Sequence, residues 1–329
     1  MRIKKEQIIL ALIIIALLLY LVFRKQDQIN YRIPDLPQIP RAEISSIEIT
    51  GPGDSIILKK EDKNWVISPQ GYLVNSSDIN NILDFIEKPV LTVMVSDSKN
   101  YTRYGLDKDT RIIVRAFADK DLKREIEIGN LTDSRRHTFV KLAKDHRVYH
   151  AQDNQRDNFD KDMDEFRDKN VLSFDQKGIR EIYLEKGTQF LTLTAVQVLP
   201  EETGEEEEDK DSQEMEEAKV EWQTSEGENV DESEVEDLLS TLSGLTCNAF
   251  LYEIQKEDLT DPLCSITMKG TNEYNLSIFP KKDDDEGYPA VSSGNESPFM
   301  LTNWKAEKII EIPDKILKEP EEPGEAVSD

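Results

Sequence analysis

Two stretches of the sequence carry the same helix pattern, and this repetition constrains the fold more than any other feature. In each stretch, apolar residues recur at the i, i+3, i+4, i+7 spacing of one helical face. Every position of the second stretch lies 156 residues after its counterpart in the first. The paired positions are Ile79 and Val235, Ile82 and Leu238, Leu83 and Leu239, and Ile86 and Leu242. Two such helices in matching contexts predict a duplicated structural unit.

The residues that precede the two helices match as well. Asn75 and Asp231 are of the types whose side-chain oxygens accept hydrogen bonds from first-turn N–H groups, so both are candidate N-caps. Val74 and Val230 stand where a residue packs against the first turn as a hydrophobic staple. We therefore predict a capped helix over residues 76–88 and its counterpart in the second copy.

Strand patterns around the helices complete the predicted unit. "ISSIEIT" from Ile44 is similar to "IREIYLE" from Ile179, and Trp65 corresponds to Trp222. We predict that both tryptophans belong to the core of the repeat together with the eight helix residues. Alternation of apolar and polar residues in "REIEIG" and "TFVKLA" predicts antiparallel strands with one wet face. The predicted fold class is α+β, in which an N-terminal transmembrane helix precedes two tandem units, each an antiparallel sheet with a packed amphipathic helix.

The transmembrane helix is predicted from the first 25 residues. Sixteen apolar residues run from Ile8 to Phe23, and Lys5 and Arg24 can lengthen the span by snorkelling. No small-x-small cleavage site follows this run. The excess of basic residues at the amino end predicts a cytoplasmic N-terminus and a C-terminal domain on the other side of the membrane.

The predicted organisation follows from these features and from two polar segments. Prolines at positions 34, 37 and 40 predict an extended stalk. The spacing between copies is 135 residues at Ile47 and Ile182 but 157 at the tryptophans, which indicates an insertion between those strands. The predicted segments are an anchor at 1–25, a stalk at 26–42, a first repeat at 43–172, a second repeat at 173–318 with a disordered acidic insertion at about 199–219, and a disordered acidic tail at 319–329.

Composition excludes several classes of function. The net charge of −26 argues against a nucleic-acid partner, because phosphate binding needs a cationic surface. Two cysteines and three histidines leave few ligands for a metal or cofactor site, and we predict neither. His146 and His150 would share one face of a strand, which suffices for a metal only with a third ligand. No catalytic motif is present, so we predict that the protein is not an enzyme.

Cys247 and Cys264 leave two alternatives open. Outside the cytoplasm they could form a disulfide that closes a short loop. The positions aligned with them in the first copy are Leu91 and Arg111, so the unit folds without such a bridge. The other alternative is a buried thiol and a partly exposed thiol.

The order of several short motifs resembles a known family. "NWVI", the capped helix after "LVNSSD", "YGLD", "EIEIGN", "TFVKL" and "VYH" together are similar to the bacterial family labelled domain of unknown function 4340. The resemblance extends from Ile44 to about Leu317. The second copy departs from it, because "DLTDPL" lacks the glycine of "YGLD" and the acidic insertion is long.

The resemblance implies an envelope protein with one membrane span at the bacterial inner membrane, often associated with gliding-motility-type ABC transporter components. We therefore expect a non-enzymatic accessory or scaffold protein whose partner is a membrane complex, such as the subunits of that transporter. The alternative is a module that binds an envelope polymer or lipid in a groove between the repeats, near Phe166, Leu172 and Phe174.

Overall fold

A computed structural model describes residues 13–16, 19–20, 33–198, 219–227, 230–282 and 286–316. The chain divides into two compact units, Met1–Asp162 and Met163–Asp329. The boundary predicted from the sequence, after residue 172, lies inside the second unit.

The first unit is built on a nine-stranded antiparallel sheet. Its strand order is β4-β3-β2-β1-β6-β7-β8-β9-β5. The strands are β1 Ser46–Thr50, β2 Ser55–Glu61, β3 Asn64–Ser68, β4 Tyr72–Leu73, β5 Leu91–Ser96, β6 Ile112–Ala118, β7 Asp121–Leu131, β8 His137–Leu142 and β9 Val148–Gln152. The helical segments are α1 Ser76–Glu87, α2 Arg156–Phe159 and the 3₁₀ turns Arg41–Glu43 and Thr102–Tyr104.

The second unit contains an eight-stranded antiparallel sheet and a two-stranded one. The large sheet has the order β13-β12-β11-β16-β17-β18-β19-β15, and β10 pairs with β14. The strands are β10 Asn170–Ser173, β11 Ile179–Lys186, β12 Gln189–Val198, β13 Lys219–Thr224, β14 Gly244–Thr246, β15 Ala249–Phe250, β16 Cys264–Gly270, β17 Glu273–Ile278, β18 Gly287–Ser292 and β19 Phe299–Thr302. The helical segments are α3 Met163–Phe166, α4 Glu232–Leu242, α5 Asn303–Ile316 and the 3₁₀ turns Gln176–Gly178 and Lys256–Asp258.

The two large sheets are repeat-like. Apart from the short edge strand β4, each strand of the first sheet has a counterpart at the same place in the second. The tryptophan-containing strands β3 and β13 lie near one end of their sheets, and β5 and β15 close the other end. Helices α1 and α4 each follow the tryptophan-containing strand along the chain.

Both helices begin as the sequence predicts. The Asn75 side chain accepts hydrogen bonds from the backbone N–H groups of Ser77 and Asp78, at 2.9 and 3.3 Å. The Asp231 side chain accepts one from the N–H of Ser233 at 3.0 Å. Both N-caps are therefore confirmed, and α1 ends one residue before the predicted position 88.

The residues assigned to the repeated core are all buried. Each is less than a tenth exposed and so belongs to the interior of its unit. The ten residues are Trp65, Ile79, Ile82, Leu83, Ile86, Trp222, Val235, Leu238, Leu239 and Leu242.

The predicted fold class is nevertheless wrong. Antiparallel strands dominate the regular structure, and the description of each unit as a sheet packed by one amphipathic helix does not fit. In the second unit, for example, α5 contributes Ala306, Ile309 and Ile312 to the same core as α4. The repeated helix pattern considered one helix per unit and omitted α5.

The described residues do not bear out the transmembrane helix of that prediction either. Among the residues that the structure describes, none of the helices has both the length and the apolar character needed to cross a membrane. The prediction relied on snorkelling to extend sixteen apolar residues, fewer than the roughly 20 of a standard span. Residues 13–16 and 19–20 are helical, and the rest of the predicted anchor at 1–25 lies outside the described residues.

The end of the predicted stalk packs against the first unit. Ile39 is 7% exposed, and its N–H donates to the carbonyl of Glu87 at 3.1 Å, where α1 ends. The buried guanidinium of Arg124 donates to the carbonyls of Pro37 and Ile86 and thereby links this segment to α1. Residues 199–218 of the predicted insertion and the predicted tail at 319–329 lie outside the described residues.

Candidate functional site

A tight turn after β5 positions the first residue of the candidate site. Tyr104 ends the 3₁₀ turn, and Gly105 follows in the left-handed conformation with φ of 63°. The N–H of Gly105 donates to the carbonyl of Thr102 at 3.2 Å, and Leu106 is fully buried beneath the turn. Glycine adopts this conformation without steric cost, so the "YGLD" motif encodes the turn.

The turn lies unusually close to β7. A Cβ atom on Gly129 would lie 2.3 Å from the carbonyl oxygen of Tyr104 and 2.9 Å from a side-chain carbon of Leu106. A Cβ atom on Gly105 would lie 2.3 Å from the side-chain oxygen of Asn130. The motifs "YGLD" and "EIEIGN" are therefore two sides of one packing contact, which holds Tyr104 over the sheet.

Tyr104 joins an aromatic–histidine patch, which we define as Tyr104, His137, Phe139 and His150. The ring centroids of Tyr104 and Phe139 are 5.0 Å apart, as are those of Phe139 and His150. The rings of His137 and His150 stack at 5.3 Å with an interplanar angle of 22°. Phe139 and His150 are direct partners of the β8–β9 pair, and all four side chains are partly exposed.

Three residues of the patch, Tyr104, Phe139 and His150, line an open cleft of about 660 Å³. Its walls combine aromatic, hydroxyl and charged groups, including one cation and one carboxylate. The lining residues are Val95, Arg103, Tyr104, Thr132, Asp133, Ser134, Phe139 and His150. A concave site that combines aromatic rings with polar groups suits the binding of a planar side chain.

Burial and a neighbouring ring control the charge of His150. Its pKa is lowered, first because the ring is partly removed from water and second because His137 lies beside it. The folded protein therefore favours the neutral imidazole, which offers one hydrogen-bond donor, one acceptor and an uncharged face for stacking.

A charged network supports the strands beneath the patch. Glu127 on β7 is 7% exposed and accepts a hydrogen bond from Arg111 at 3.0 Å and another from the ammonium of Lys141. Next to it, the hydroxyl of Tyr101 donates to the carbonyl of His146 at 3.1 Å. These contacts link β7, β8 and the loops on either side, so the patch is built on a rigid part of the sheet.

A second, smaller network fixes the loop before β9. The carboxylate of Asp145 accepts hydrogen bonds from the guanidinium of Arg147 and from the hydroxyl of Tyr149, the latter at 2.9 Å. The bond from Arg147 holds the pKa of Asp145 well below its usual range, and burial raises the pKa of Tyr149 to about 12. The loop conformation is therefore maintained by a charge-assisted pair.

The structure corrects the expected histidine pair. β9 begins at Val148, so His146 lies in the preceding loop and does not share the strand face of His150. The ring beside His150 is that of His137, on the adjacent strand. Within the described parts of the chain, no group of three or more metal-ligating side chains converges on a point where a metal ion could bind.

The disulfide between Cys247 and Cys264 is not formed, since both residues are free, buried thiols. The charged groups near Cys247 include Lys169 and Asp164, whereas those near Cys264 are Lys186 and Asp314. Burial raises the pKa of each thiol to about 11. The alternative of one buried and one partly exposed thiol is also wrong.

The three residues proposed for a ligand groove, Phe166, Leu172 and Phe174, are part of the second unit. Phe166 and Leu172 are at most 1% exposed, and Phe174 packs against the core of that unit. The ring of Phe174 lies 5.1 Å from that of Tyr274.

The sequence motifs that form the patch did not predict a site there. Period-two alternation in "HTFVKL" does place His137, Phe139 and Lys141 on one face of a strand. The site depends on the pairing of β8 with β9 and on the packing of the Tyr104 turn against the sheet. Both are contacts between residues that are distant in sequence.

Comparison with known proteins gives one result. The family model described as Domain of unknown function (DUF4340) matches residues 65–262, more than half of the chain. No curated protein and no solved structure gives a significant match. The match begins at Trp65 in β3 and includes α1, strands β5 to β9 and α4. The chain therefore belongs to the DUF4340 family.

Proposed function

We propose that the protein is a non-enzymatic interaction protein that binds a protein partner through the aromatic–histidine patch. The observation that carries the proposal is the convergence of "YGLD", "EIEIGN", "TFVKL" and "VYH" on this patch and its cleft. Aromatic side chains on a rigid surface provide large contact areas at low entropic cost, which is typical of binding hot spots.

The polar groups of the cleft favour binding over catalysis. The hydroxyl oxygens of Thr132 and Ser134 lie 3.1 Å apart and share a hydrogen bond. A nucleophile needs a neighbouring base, and a second hydroxyl is not one. The neutral imidazole of His150 stacks on His137 and meets the ring of Phe139 at a tilt, which suits it to contact a partner.

As the family resemblance implies, we further propose that the partner belongs to a bacterial membrane complex, with ABC transporter subunits as the first candidates. The protein would act as an accessory or scaffold of that complex.

Site-specific photocrosslinking in cells tests this proposal. Arg103 lines the cleft, and the matched control position Phe190 is 74% exposed in the second unit. Each residue is replaced in turn by p-benzoylphenylalanine in the full chain. We expect a protein adduct from position 103 and not from position 190. The identified partner should bind the purified chain and bind Phe139→Ala and His150→Gln variants at least about tenfold more weakly, with unchanged circular dichroism.

Two outcomes would contradict the proposal. One is the absence of a protein adduct from position 103 under conditions that crosslink a known complex. The other is equal affinity of the identified partner for the folded variants and the unchanged chain, since the patch would then not be the contact surface.

A further inference from the structure

Strand β5, next to the patch, has an outer edge without charged residues or prolines, although two register irregularities interrupt its pairing with β9. It is the last strand of the nine-stranded sheet, so one of its edges has no strand partner in that sheet. Its sequence, LTVMVS, spans six residues without a charge or a proline. Natural proteins generally protect such edges with charges, prolines or very short strands, because a free edge pairs readily with another chain.

The other terminal strands of the two large sheets, as far as the structure describes them, do carry this protection. β4 and β15 contain only two residues each. β13 has six residues, but its sequence KVEWQT includes Lys219 and Glu221. β5 is therefore the one terminal strand in these described sheets that is both long and uncharged.

Clefts lie on both faces of β5. Val95 lines the cleft of about 660 Å³ that contains the patch. The adjacent residue Met94 lines a cleft of about 590 Å³ on the opposite face, together with Asp97, Lys144, Asp145, His146 and Arg147. Successive side chains of an added strand point to opposite faces at the same spacing. A strand paired with β5 would thus place alternate side chains over the two clefts.

The charges around the clefts indicate what kind of strand fits. In the patch cleft Arg103 is balanced by Asp133, and in the opposite cleft Asp97 and Asp145 balance Lys144 and Arg147. Neither cleft selects strongly for net charge. The affinity for an added strand must therefore come from backbone hydrogen bonds and from contact with the aromatic rings.

We propose that β5 is a docking edge for an extended peptide segment of a partner protein, which pairs with β5 in the sheet and points an aromatic or branched apolar side chain into the patch cleft. This inference rests on the proposed function and specifies how the partner binds. It commits to backbone pairing at β5, which the proposed function does not require.

The test uses the full chain and a phage-displayed library of random dodecapeptides as the probe. Val93 on β5 is 44% exposed, and Val220 on the already charged β13 is 40% exposed. Val93→Lys places a charge on the open edge, and Val220→Lys is the matched control. We expect selected peptides with aromatic or branched apolar residues at alternate positions. Their affinity should fall at least about tenfold with Val93→Lys and remain within about twofold with Val220→Lys.

Two further measurements separate strand addition from other modes of binding. The selected peptide should protect backbone amides of β5 from hydrogen exchange, and its affinity should change less than about threefold between low and high salt, because the charges are balanced. Peptides that bind equally well to Val93→Lys without protecting β5 would overturn the inference. If such peptides still lose affinity with Phe139→Ala, the patch remains a binding site and only strand addition fails.

The Val93→Lys variant also tests whether a second copy of the chain, rather than a partner peptide, pairs with β5. If sedimentation shows a dimer that Val93→Lys converts to a monomer while Val220→Lys does not, β5 pairs with itself, and the partner-peptide inference is wrong. If no peptide is selected and the chain is monomeric, the inference is also overturned, whatever partner the crosslinking identifies.

Discussion

At the scale of single residues, burial decides the chemistry of the two cysteines. Cys247 and Cys264 are 7% and 1% exposed, and the pKa of each is raised to about 11 because the thiolate would be desolvated. At pH 8 about one thiol in a thousand is ionised, and the thiolate is the reactive form. Redox chemistry at these positions therefore requires unfolding.

We expect that neither thiol of the native protein reacts with Ellman's reagent within minutes at about pH 8. Addition of guanidinium chloride without reductant should release two reactive thiols per chain, because no bridge is present. The control is the same measurement after reduction, which should give the same count. Fewer thiols before reduction than after it would mean that the cysteines are bridged in the purified protein.

At the scale of secondary structure elements, the Tyr104 turn and β7 approach each other closely at Gly129. Gly129→Ala places a methyl group within 2.3 Å of a backbone oxygen, which cannot move away as a flexible side chain could. We expect a loss of about 2 to 3 kcal/mol in the free energy of unfolding, as for overpacked cores. Gly53→Ala meets no atom within 4 Å and should change stability by less than about 0.5 kcal/mol. Denaturant unfolding of both variants measures the difference.

A second readout ties this contact to the patch. Displacement of the turn should move the ring of Tyr104 away from Phe139, so aromatic side-chain resonances near the patch should shift in Gly129→Ala and not in Gly53→Ala. Equal stability of the two variants would show that the turn does not approach β7 as closely as the structure indicates.

The elements also show how far the sequence could predict this molecule. The caps at Asn75 and Asp231 and the apolar stripes of α1 and α4 are local signals, and they were predicted with their residues. Strand order and the meeting of His137 with His150 depend on pairing between distant residues, for which a single sequence carries no comparable signal. His146 was misplaced for the same reason, because period-two alternation does not define where a strand begins.

At the scale of the whole molecule, the histidines are confined to one unit. All three histidines, His137, His146 and His150, lie in the first unit. The pKa of His150 is lowered in the folded state, so below the ordinary histidine value of about 6.5 the unfolded chain binds more protons than the folded one. The stability associated with neutral His150 is therefore present above about pH 6.5 and is lost as the pH falls below it.

We expect that lowering the pH from about 7.5 to about 5.5 weakens the first unit and leaves the second unchanged, since the second contains no histidine. Hydrogen exchange of the full chain measures this, because it reports the opening free energy of each unit separately once intrinsic rates are corrected for pH. Protection of β8 and β9 should decrease while that of β16 and β17 is maintained. His150→Gln should remove most of the decrease, and His146→Gln, in the exposed loop, should leave it in place. Another group would control the response if protection decreased equally in both units. The same would follow if the decrease in the His150→Gln variant were as large as in the unchanged chain.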